Sequence, residues 1–135
     1  MNTDLGLCLK HLQALVSFDT SNPPKNIQAS GLLDYLNSLS YLNPQVTDLG
    51  DGSFNILLEK GNPKYLFNVH LDTVPPGEGW STDPHTLSIT DEKAIGLGAC
   101  DIKGAAACLL SLIELGLDDY AVLLSTDEEA GQSTC

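Results

Sequence analysis

Tyr65-Leu66-Phe67-Asn68-Val69 runs directly into His70-Leu71-Asp72. The first five residues are compact and apolar, bounded upstream by the turn Gly61-Asn62-Pro63 and downstream by a loop holding Pro75, Pro76, Gly77, Gly79 and Pro84. A run of that kind reads as a central strand of a sheet. Upstream, Phe54, Ile56 and Leu58 alternate after the Asp51-Gly52 turn, the period of a half-buried strand, and 45–49 forms a shorter one. Residues 4–17 place Leu5, Cys8, Leu9, Leu12, Leu15 and Val16 at helical intervals, and Ser21-Asn22-Pro23-Pro24 closes that helix in a rigid turn. A second helix is predicted over 27–40, with Leu32, Leu33, Leu36 and Leu39 on one face. Downstream, 87–90 and 94–97 pair as a hairpin around Asp91-Glu92-Lys93, 102–115 forms an Ala/Leu-rich helix, and 120–125 is a last apolar strand. The fold class expected is α/β, with helices packed on a mixed, mostly parallel sheet.

Composition narrows the function classes. The chain has 135 residues, 42% of them hydrophobic, with 6 basic and 18 acidic side chains and a formal charge of −12. Such a field repels phosphate backbones and anionic lipid, so neither nucleic acid nor a membrane is an expected partner. No stretch approaches the ~18 apolar residues of a membrane span. With Asp4 and one early Lys, the N-terminus does not read as a secretory signal, and a cytoplasmic protein is expected. Cys8, Cys100, Cys108 and Cys135 form no CxxC pair and read as reduced thiols, Cys8 and Cys108 within helix cores. His11 and His85 read as surface or loop residues.

Three segments carry potential chemistry, each beyond an apolar element where α/β sheets place their ligands. In His70-Leu71-Asp72 an imidazole, a common zinc ligand, has a carboxylate two residues on that can fix its tautomer. In Gly96-Leu97-Gly98-Ala99-Cys100-Asp101-Ile102-Lys103-Gly104, small residues permit close backbone approach, and Asp101 reads either as a helix N-cap or as a ligand. The spacing fits neither the dinucleotide fingerprint nor the P-loop. In Thr126-Asp127-Glu128-Glu129, three adjacent acids form either a solvated loop or a site where a cation offsets their repulsion. Together they make a hard N/O ligand set, suited to zinc, manganese or cobalt rather than calcium.

These motifs, in this order, resemble the M20 metallopeptidase and deacylase family: His70 to Gly77 with Trp80 and Asp83-Pro84, then Gly96 to Gly104, then Thr126 to Glu129. The turn from Ser17 to Pro24 is similar to the family's N-terminal turn. The branch it looks like is that of acetylornithine and acetylcitrulline deacetylases, with Leu97 where most members carry Arg. The resemblance implies two Zn2+ ions per intact site, with Co2+ or Mn2+ as substitutes. His70 would bind one ion, Asp101 bridge both and Glu129 bind the other. Asp72 would orient His70. Glu128 would be the general base, taking a proton from the attacking water and delivering it to the leaving amine. It also implies a cis peptide at Asp101–Ile102, a small N-acetyl amino acid as substrate, a role in arginine biosynthesis, and a homodimer when full length.

The same resemblance implies five ligand residues, of which three are present. The 135 residues are therefore expected to be the N-terminal part of the catalytic domain, inactive alone, with exposed strand edges that favour self-association. Competing expectations are a non-catalytic metal-binding or interaction domain, a dipeptidase, or a succinyl-diaminopimelate desuccinylase. A signalling receiver domain needs its acidic pair after the first strand, whereas here the acids come last, and no Gly-x-Ser-x-Gly elbow supports a serine hydrolase.

Overall fold

The computed structural model describes residues 3–130. Helix α1 (Thr3–Ser17) leads through the Pro-rich turn to a 3-10 turn (Ile27–Ser30) and helix α2 (Leu32–Ser38). The single helix predicted over 27–40 is thus split, because Gly31 takes a left-handed conformation with φ 90°. Strands β1 (Gln45–Asp48), β2 (Phe54–Lys60) and β3 (Leu66–His70) follow. The short hairpin β4 (Ser88–Ile89) and β5 (Ala94–Ile95) precedes helix α3 (Gly104–Glu114) and strand β6 (Tyr120–Ser125).

Four strands form one sheet in the order β1-β2-β6-β3. The mixed α/β class holds, but the pairing corrects the expected bias toward parallel ladders. β1–β2 and β2–β6 are antiparallel, and β3–β6 is the parallel pair. The turn between β1 and β2 is too short for a crossover, whereas the long path through α3 permits parallel pairing of β3 with β6. The central position is also reassigned. β6 is flanked on both sides, and five of its six residues are buried. Among the described residues β3 is an edge, with Tyr65, Leu66 and Phe67 exposed. Their apolar character misleads, because a strand built for two-sided cover reads alike whether or not the cover is present.

The core joins Leu12, Leu15 and Val16 of α1 to Leu32 and Leu36 of α2, to Phe54, Ile56 and Leu58 of β2, and to Ala106, Ala107 and Leu110 of α3. The alternation predicted for β2 is therefore the buried face. The small residues of α3 let it approach its neighbours closely, and Ala106 and Ala107 are fully covered. No helix of the described residues is long and apolar enough to cross a membrane.

Two side chains depart from expectation. Cys108 is exposed and Cys8 half-buried, so neither lies in a helix core. His11 is fully buried rather than at the surface. Its Nε2 lies 2.7 Å from Glu114 Oε2 on α3, and its Nδ1 2.7 Å from Tyr35 Oη on α2. Tyr41 Oη also donates to Glu114 Oε2, at 2.9 Å, and Lys10 approaches Glu114 at 3.6 Å. A neutral ring satisfies this geometry, donating from Nε2 and accepting at Nδ1 from the tyrosine. The helical period counts apolar residues only, so a histidine satisfied by partners on two other helices is invisible to it.

Burial holds His11 below its usual 6.5, outweighing the attraction of Glu114. The unfolded chain then binds more protons as the pH falls through 6.5, so this contribution favours folding above that value and is lost below it. His70 titrates in the opposite sense, so the check is a difference: the gap in urea midpoint between the unsubstituted protein and His11→Gln should shrink on going from pH 7.5 to 5.5.

Candidate metal centre

Parallel pairing of β3 with β6 puts the carboxyl ends of both strands at one end of the sheet. His70 ends β3 in register with Ser125, which ends β6, and Leu71 N–H extends the ladder by donating to the Ser125 carbonyl at 2.8 Å. His70 and the Glu128-Glu129 turn therefore meet at that end. Asp101 arrives from a third direction, in the irregular segment Ala99–Lys103 that precedes α3. Its backbone is non-helical at φ −127° and ψ 88°, and the Asp101–Ile102 peptide is cis, as the resemblance implied. α3 carries no side-chain cap, so Asp101 does not serve as the N-cap that its position also suggested. The expected close approach is visible at Gly98, at φ 74°, where a Cβ would stand 2.6 Å from Thr73 Cγ2.

The side chains converge. Donor atoms of His70, Asp101 and Glu129 all lie within 4.8 Å of one another. His70 Nε2 is 3.2 Å from Asp101 Oδ1 and 3.8 Å from Glu128 Oε2. The other face of the ring turns inward: Nδ1 is 3.0 Å from the Asp72 carbonyl oxygen and 3.5 Å from Asp72 Oδ1. Both are acceptors, so Nδ1 carries the proton and Nε2 faces the acids. The Asp72 carboxylate, against the opposing effect of burial, pushes the imidazole up to about 9. Glu129 is raised by burial, with Asp101, Glu128 and Asp72 adding repulsion. The attraction of His70 opposes that rise.

The three consecutive acids have three environments. Asp127 is buried, Glu129 half-buried and Glu128 exposed. Asp127 pairs with Lys25 Nζ at 2.7 Å, and the same ammonium reaches Asp51 at 3.0 Å. Asn22 Nδ2 donates to Asp127 Oδ1 and to Asp72 Oδ2, both at 3.0 Å. Asp72 Oδ2 also accepts the Glu129 N–H at 2.9 Å, which sets the turn carrying both glutamates. Burial would raise the Asp72 carboxyl, but donation from His70, Glu129 and Asn22 prevails and holds it below its usual range. The Pro-rich turn is stitched to the β3 loop by Asn22 N–H to the Thr73 carbonyl at 2.8 Å and by Thr73 N–H to the Thr20 carbonyl at 3.1 Å.

From sequence Asp127 read only as one of three adjacent acids and Asn22 only as part of a turn, and Lys25 was not singled out. The available hint was that the turn containing Asn22 belonged to the same set of motifs. His85 approaches Asp19 at 3.9 Å and stands apart from the cluster.

A family description, peptidase family M20/M25/M40, matches residues 66–134, just over half of the chain and the stretch that carries all three motifs. The chain belongs to this family. Among M20 relatives, the N-acetyl-L-citrulline deacetylase of Xanthomonas campestris is 51% identical over 133 residues, covering 97% of this chain and 36% of that protein. A succinyl-diaminopimelate desuccinylase of Wolinella succinogenes is 30% identical over 125 residues, covering 87% and 33%. An acetylornithine deacetylase of Vibrio vulnificus is 41% identical over 76 residues, covering 54% of this chain and 20% of that one. The fold is similar to that of human carnosine dipeptidase 1, with a TM-score of 0.67 at 23% identity over 93% of this chain and 32% of that one. The chain thus spans about a third of the length of these relatives.

The Asn22 bridge is directly testable. Asn22→Ala removes one donor from each of two buried carboxylates and is expected to cost about 1–3 kcal/mol in urea unfolding. Asn22→Asp puts a third carboxylate between them and should cost more, about 3–5 kcal/mol. Equal, sub-kilocalorie losses for the two variants would show that the amide is incidental.

Proposed function

We propose that this chain carries the metal-binding part of an M20 amidohydrolase that removes the acetyl group from an N-acetyl amino acid, acetylcitrulline or acetylornithine. The observation that supports it most is the His70, Asp101 and Glu129 cluster, with Glu128 beside it. The donors fit a divalent cation. One neutral imidazole nitrogen and two carboxylates are the hard and borderline ligands that zinc, cobalt or manganese accept. The cation would also offset the burial, and the smaller repulsion from neighbouring acids, that raise Glu129.

In this reading His70, Asp101 and Glu129 would hold Zn2+, with Asp101 as the carboxylate shared by two ions, and further ligands would complete the site in the whole protein. When bound, the ions supply Lewis acidity to the acyl carbonyl and to the attacking water. Asp72 keeps His70 in the tautomer that presents Nε2. Glu128, exposed beside the cluster, takes a proton from the attacking water and passes it to the departing amine. Its neighbour Glu129 is tied by its own N–H to Asp72, so the two glutamates are held for different tasks.

An open cavity of about 210 Å³ beside the cluster is lined by Thr73, Val74, Trp80, Leu97 and Cys100, together with Asp101 and Glu129. Among the described residues no lysine lines it. Apart from Asp101 and Glu129 the lining is uncharged, which suits an uncharged acetyl group. The 51% identity to the Xanthomonas deacetylase points the same way. A cytoplasmic homodimer acting in arginine biosynthesis completes the proposal. With three of five implied ligands, the 135 residues alone are inferred to hydrolyse poorly.

Two measurements test this reading. Calorimetric zinc titration of this chain should show binding that His70→Ala and Asp101→Ala each weaken at least tenfold. If all three proteins bind alike, the ligand assignment is wrong. In the whole protein, Glu128→Gln should retain zinc while kcat on acetylcitrulline falls by about 10²–10⁴-fold. A faster rate on succinyl-diaminopimelate than on acetylcitrulline would favour the desuccinylase instead.

A further inference from the structure

Away from the metal cluster, Cys8 on α1 and Cys108 on α3 bring their Sγ atoms to 3.4 Å across 100 residues of sequence. Both are free thiols, and Cys108 is exposed. Two thiols held in contact by separate helices need only a small side-chain adjustment to reach bonding distance. We propose that Cys8 and Cys108 are an oxidative cross-linking site, forming a reversible disulfide that clamps α1 to α3 in response to a small-molecule disulfide such as oxidised glutathione.

The balance is that of thiol–disulfide exchange. The Cys108 thiolate attacks oxidised glutathione, breaking its S–S bond and releasing one reduced glutathione. Cys8 then loses its proton to solvent and attacks the Cys108 sulfur, releasing the second glutathione. Two protein thiols are oxidised by two electrons, and one glutathione disulfide is reduced to two thiols. Accessibility sets the order, since the exposed Cys108 meets the oxidant first. Burial, and then the neighbouring Cys108, push the Cys8 thiol up to about 11, which suits it to the resolving step rather than the first attack.

The site is placed to matter. α1 delivers the Pro-rich turn that holds Asn22, and α3 is preceded directly by the segment that holds Asp101. His11–Glu114 already joins the same two helices without a covalent bond. A cross-link would therefore fix the mutual position of the two helices that carry these site elements.

The test is oxidation of the whole purified protein by glutathione disulfide, followed by peptide mapping under non-reducing conditions. A Cys8–Cys108 linked peptide that disappears with dithiothreitol is expected, with a chain that remains monomeric in covalent terms. Cys8→Ser should stop at a glutathione adduct on Cys108. Closing a loop this long should also raise Tm by roughly 5–10 °C in the cross-linked form. A glutathione adduct on Cys108 with Cys8 still free in the unmodified sequence would overturn the proposal. Covalent dimers through Cys108, or a Tm unchanged by the cross-link, would do so as well.

Discussion

One amide side chain holds the candidate centre together. Asn22 donates from a single nitrogen to the buried carboxylates of Asp72 and Asp127, and without it two like charges would face each other in a region that excludes water. Asp72 is then free to use its other contacts on the site: its carbonyl fixes the His70 ring, and one carboxylate oxygen holds the glutamate turn. Lys25 supplies the only formal cation seen on Asp127 among the described residues. The acids of the cluster thus rest on a layer of acids beneath them, and that layer is held by hydrogen bonds and one ammonium.

This arrangement explains why the acidic balance of the chain is compatible with a compact fold. A charge of −12 spread evenly would oppose folding through self-repulsion. Here Asp51 and Asp127 share Lys25, Asp72 shares Asn22 and His70, and Glu114 is bound by His11 and Tyr41. A local excess of negative charge remains where Asp101, Glu128 and Glu129 gather beside His70 Nε2. A divalent ion is the simplest species to complement that remainder.

The sequence showed much of this. Hydrophobic period placed α1, β2 and β6 nearly to the residue, because each buries a regular stripe. It overextended the second helix, since one glycine at positive φ ends a 3-10 turn and starts a new axis. It read β3 as a central strand, whereas among the described residues β3 is an edge, because apolar content reports what a strand is suited to, not which neighbours it has. At the site, His70, Asp101 and Glu129 were legible as residue types at strand and helix ends. His11 was not, because its role depends on Tyr35 and Glu114, which no local pattern connects to it.

By itself the sequence determined the α/β class, the family and the candidate site residues, because each is encoded in local period or in short ordered motifs. Only the tertiary structure decided which strands pair, that Asp101 faces His70 rather than capping α3, that Asn22 lies between two buried aspartates, and that Cys8 meets Cys108. Those facts are contacts between residues tens of positions apart. They arise when the parallel ladder of β3 on β6 brings two strand ends to one edge and the two long helices pack together, and no window along the chain contains both partners.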